Sequence, residues 1–157
     1  MMVFVAELWR QVLDGKAAAR LIYVESHKNG LMCDSAIIEG TRYLPLSDAE
    51  WRTHSVHVVP LLTADASKVV ASTYLAVPAS QQLIKELLDL PSNAQGDGAK
   101  LELEEHSRDF RKVSSWMYKI EKKGRFELLV ELLLDRPTSL SETEIEERLG
   151  LKRDASL

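Results

Sequence analysis

Leu103, His106, Phe110, Val113, Met117 and Ile120 follow one another at intervals of three and four residues. In an α-helix that spacing brings all six onto one side, as a heptad-like seam. Such a stripe must be covered by other apolar surface, in the same chain or in a second copy. Gly124 breaks the helix that carries it, residues 126–134 form another, and Arg136-Pro137 terminates that one. Ser141-Glu142-Thr143-Glu144 then has the form of a capping box, opening a helix that ends at Leu149-Gly150. Residues 101–150 are therefore expected to be a helical arm of three helices, with 151–157 as a tail.

The N-terminal part reads differently. Phe4, Val5, Leu8, Trp9, Val12 and Leu13 have a period near 3.6 and predict a helix over residues 3–14, ended by Asp14-Gly15. Residues 17–26 and 31–38 are rich in β-forming side chains and are joined by Lys28-Asn29-Gly30, a pairing that favours a type I′ hairpin turn. Ser47 and Glu50 are spaced for a capping box at the start of a short helix. Residues 55–62 and 68–77 read as two more strands, the first pushed to a sheet edge by Pro60. A helix at 81–90 closes this part. Residues 91–98 hold two glycines and no large apolar side chain, so 91–100 reads as a linker. The expected fold class is α+β: a body at 1–90 with a small antiparallel sheet of about four strands and flanking helices, followed by the C-terminal arm.

A single cysteine, Cys33, excludes an internal disulfide and any cysteine-based zinc site. His54 and His57 are spaced for one face of a helix, but in the expected strand they point to opposite faces, and no metal is expected. Cys33 and His27 face each other across the expected turn as a candidate thiolate pair; a buried cysteine acting as a small apolar residue is the simpler reading. Gly96-x-Gly98 lacks the strand, third glycine and lysine of a phosphate loop. Glu142, Glu144, Glu146 and Glu147 suit a helix N-terminus rather than a catalytic site. No enzyme and no cofactor are expected. The apolar run at the start is cut by Glu7 and Arg10, so no signal peptide is expected; no stretch approaches the ~20 apolar residues of a membrane span, and with one free cysteine the cytoplasm is the expected compartment.

Two features carry the functional expectation. Phe110, Val113, Met117 and Ile120, with Trp116 at the rim, are the expected interface for a protein partner or for self-association into a homo-oligomer. Arg108, Arg111, Lys112, Lys119, Lys122 and Lys123 fall within about 60° of one direction on the same helix. They form a cationic face with Trp116 and Tyr118 on either side, the alternative surface for nucleic acid. Net charge is −4, which works against a polyanion as ligand.

Residues 125–134, Arg-Phe-Glu-Leu-Leu-Val-Glu-Leu-Leu-Leu, followed by Thr143-Glu144-Ile145-Glu146-Glu147-Arg148-Leu149-Gly150-Leu151, resemble the opening two helices of a winged helix-turn-helix. The resemblance implies a DNA-binding regulator, but the residues after the turn, 152–157, are too few for a recognition helix. The order helix, two strands, short helix, two strands, helix over 1–90 is similar to roadblock and profilin-like topologies, which implies scaffolding and dimerisation. The first expectation is thus a non-enzymatic regulatory or interaction module acting through its C-terminal helices. A nucleic-acid-binding regulator is the alternative.

Overall fold

The computed structural model describes residues 2–39, 45–91 and 96–134. They form α1 (Met2–Glu39), α2 (Ala49–Val58), a 3-10 turn at Val59–Leu61, α3 (Ala64–Leu75), α4 (Val77–Asp89), α5 (Asp97–Lys122) and α6 (Arg125–Leu133). There is no strand among the described residues. The expected α+β fold, its four strands, its hairpin and the roadblock-like order are therefore all corrected to an all-helical architecture.

The largest correction is α1. It runs unbroken for 38 residues through both Asp14-Gly15 and Asn29-Gly30, where a helix end and a hairpin turn were expected. The reason lies in what these residues touch. Val12, Gly15, Ala19, Ile22, Ser26, Asn29, Cys33 and Ala36 are all buried and recur at alternating steps of three and four. This is a heptad seam made largely of small and polar side chains, which lets other helices approach α1 closely. At Gly15 a Cβ would collide with the Leu61 side chain and come within 2.9 Å of the His57 carbonyl. Gly30 backs onto the Cβ of Phe110. A helix-interior glycine costs about 1 kcal/mol against alanine, and at Gly15 close packing offsets that cost.

The other β-rich segments are helical for similar reasons. Pro60 occupies the first turn of the 3-10 segment and Pro78 the first turn of α4, positions where no amide donor is needed. Thr63 caps α3 by accepting from the Ala66 amide at 3.1 Å. Thr73 donates its hydroxyl to the Val69 carbonyl at 2.8 Å, so it is satisfied within the helix. Val70 and Tyr74 on the same helix face the core.

α5 lies antiparallel on α1. Lys16 sits by Ile120 and Glu121, Tyr23 by Tyr118, and Gly30 and Asp34 by Ser107. α3, α4 and α6 complete the cover, and the residues of the expected body and arm share one apolar cluster. At about 1.5 Å per residue α1 is roughly 57 Å long and α5 roughly 39 Å. The register leaves the first three turns of α1 beyond the end of α5.

Candidate functional site

The seam of α5 is used inside the chain. Phe110, Val113, Met117 and Ile120 are at most 2% exposed and Trp116 is 7% exposed. They pack in the core that α5 shares with α1, and Phe110 meets the Tyr74 ring edge-on at 6.0 Å. The five residues expected to form an interface are therefore covered without a second chain. His106, in the same seam, shares a hydrogen bond with the Ser80 hydroxyl through Nδ1.

The cationic face is partly engaged as well. Arg111 donates to the Asp34 carboxylate, whose other oxygen accepts from Ser107 at 2.6 Å. Lys123 is ion-paired with Glu131 and lies 3.7 Å from Glu127. Lys122 stands over the Tyr118 ring at 5.6 Å. Lys119, too, has an interaction partner, and Arg108 and Lys112 are half-buried on the same helix. Trp116 is buried, with no hydrogen-bond acceptor for its indole nitrogen, and offers no platform for a base. Neutralised bases release fewer counterions, so this geometry weakens the polyanion surface.

Ionisable groups at the helix junctions act as caps. Glu25 of α1, 6% exposed, accepts from the amides of Glu50 and Trp51 at 2.9 and 3.1 Å and from the Ser47 hydroxyl at 2.8 Å. It thus caps α2 from outside, where a local Ser47–Glu50 capping box was expected. Asn29 holds the same corner: its amide donates to the Ser47 carbonyl at 2.7 Å and accepts from the Ser47 amide at 3.0 Å. Lys16 donates to the carbonyls of Ile120, Glu121 and Lys123, closing the C-terminus of α5. Its burial, then the nearby Arg125, hold the Lys16 ammonium below its ordinary pKa.

The remaining candidates are not brought together. Cys33 is fully buried on α1, and burial, then Asp34, push its thiol up to about 12. His27 is exposed on another face of the helix and stacks on Tyr23 at 5.8 Å. His54 and His57 lie on helix α2, not on a strand, with their rings 6.5 Å apart and Glu50 3.3 Å from His54. No group of three or more His, Cys, Asp or Glu among the described residues is arranged to hold a metal ion. No described helix is long and apolar enough to cross a membrane. Arg136-Pro137, the 141–144 capping box, the acidic string from Glu142 to Glu147 and the second half of the helix-turn-helix resemblance lie outside the described residues.

The face that sequence reasoning missed is the outer side of α1. Met2, Trp9, Leu13, Val24, Leu31 and Ile38 are 37–88% exposed. At about 100° per residue they fall within an arc of roughly 60°, about 150° from the buried seam. A hollow of about 460 Å³ lined by Met2, Val5, Ala6 and Trp9 opens at its N-terminal end. The seven-residue steps from Val24 to Leu31 to Ile38 were the signal available in the sequence. Comparison with protein-family models, with curated proteins and with solved structures returned no match.

Proposed function

We propose that this chain is a non-catalytic helical interaction module whose contact surface is the outer face of α1. One observation carries the reading: six large apolar side chains share one solvent-facing side of a 38-residue helix, three in its first half and three in its second. Scattered surface leucines need no explanation, but apolar residues aligned on one helix face mark a docking surface. The use of Glu25, Lys16 and Asp34 as helix caps and cross-links supports a structural rather than a chemical role for the buried ionisable groups. The contact surface differs from the α5 seam because that seam is already covered by α1.

The test compares wild type with a Val24→Glu/Leu31→Glu double variant in chemical cross-linking. Both positions are exposed, so helicity and melting temperature should be unchanged while the cross-linked partner is lost. An identical cross-linking pattern for the two proteins would sink the reading.

A further inference from the structure

Resting on that reading, we infer that the occupant of the outer face of α1 is a second copy of the same helix, running antiparallel. The argument begins with the distribution of the exposed side chains. Met2 and Ile38 stand eighteen residues to either side of Arg20, and Trp9 and Leu31 stand eleven to either side. A two-fold axis through Arg20 therefore sets Met2 against the partner helix's equivalent of position 38, and Trp9 against that of position 31. The two ends of the face are thus self-complementary, as an isologous interface requires, while Leu13 and Val24 fall against the partner helix's equivalents of positions 27 and 16.

The area is sufficient. The six seam residues, with Val5 beside them at 43% exposed, offer seven apolar side chains per copy. At roughly 90 Å² each, two copies would hide on the order of 1,300 Å², at the lower end of the range of about 1,200–2,000 Å² of stable complexes. The α5 seam cannot compete for this contact, because it is turned inward.

The centre of the face holds a charge. Arg20 is exposed at the axis, with Lys28 also exposed on the flank. Two copies bring Arg20 close to its own equivalent, a like-charge contact that opposes pairing and is screened by salt. This gives the dimer an unusual signature, since an acidic partner helix would be attracted to Arg20 and weakened by salt.

The experiment is sedimentation equilibrium of the full chain over a range of concentration and salt. A reversible dimer is expected, tightening as salt rises. Arg20→Leu should strengthen it about tenfold and remove the salt effect. Trp9→Glu and Leu31→Glu should each weaken it about a hundredfold with helicity retained. Direction is read in a Cys33→Ser background: a mixture of Met2→Cys and Ile38→Cys chains should form a mixed disulfide, and Met2→Cys alone should not. A full-length chain that stays monomeric at every concentration overturns the inference, as does a Met2→Cys homodisulfide, which would mean parallel helices. If the chain is monomeric but Val24→Glu/Leu31→Glu still loses a cross-linked foreign partner, the interaction module stands and the second copy falls.

Discussion

Two glycines of the same helix illustrate how much a single position depends on its neighbour. At Gly15 a Cβ has no room against Leu61 and the His57 carbonyl, whereas at Gly30 it would meet Phe110 at 3.6 Å, an ordinary contact. Gly15→Ala is expected to destabilise the protein by about 1–3 kcal/mol, and Gly30→Ala to be neutral or to stabilise it by up to about 1 kcal/mol through helix propensity. Urea denaturation of the two variants separates these outcomes. Nothing in either dipeptide, Asp14-Gly15 or Asn29-Gly30, distinguishes a turn from a close helix contact. The buried thiol and phenol make a second prediction at this scale. Cys33 is raised from 9.0 to about 12, and burial, then the Glu25 carboxylate, hold the Tyr74 phenol above its ordinary value. In both cases the folded chain keeps its proton more tightly than the unfolded one. The stability they contribute is therefore fully present below about pH 9 and lost as pH rises through the folded-state values. Thermal melts should be flat from pH 7 to about 8.5 and fall above about 9, and Tyr74→Phe should flatten part of the fall. A thiol reagent should leave native Cys33 unmodified and label it on unfolding.

At the scale of the element, α1 supplies what its neighbours lack. α2 has no side-chain cap of its own at Asp48, and Glu25 provides one across the interface. Glu25→Ala removes two amide acceptors and a hydroxyl partner, and should cost about 2–3 kcal/mol. Ser47→Ala should cost about 1 kcal/mol, and the double variant less than the sum, because the two groups share a bond. Chemical denaturation of the three variants checks this coupling, and strict additivity would mean that the bond contributes nothing. The α5 helix was legible in the sequence because its buried positions are large and apolar. The inner face of α1 was not, because a seam of Gly15, Ala19, Ser26 and Asn29 has no hydrophobic periodicity to read. Ile22, Tyr23 and Val24 favour a strand by intrinsic preference, yet only Ile22 of the three is fully buried. Tertiary packing overrides a preference of that size. The outer seam was illegible for a different reason: Arg20 and His27 stand in line with its apolar members and break the pattern.

For the whole molecule, the consequence is a core built jointly by the two ends of the chain. Phe110 packs with Tyr74, and Asp34 is tied to Ser107 and Arg111. A fragment of residues 1–91 would leave bare the part of the inner face of α1 that α5 covers, so it should lack cooperative thermal unfolding and near-ultraviolet signal. A fragment that melts cooperatively would establish instead that the N-terminal part folds alone. Phe110→Ala should lower the stability of the full chain by about 3–5 kcal/mol in a single transition seen equally by every probe. The helical state of residues 3–14, the seam of α5 and the helix after Gly124 were determined by residue type and spacing, because large apolar residues at helical intervals have few alternatives. The path of residues 17–39 and 45–77 was decided only by the tertiary structure, since small and β-branched residues become helical there through contacts far away in sequence. Tertiary structure likewise decided that the α5 seam points inward: a stripe demands a cover, and only the packed fold shows that α1 is the cover and that no described helix lies on its own far side.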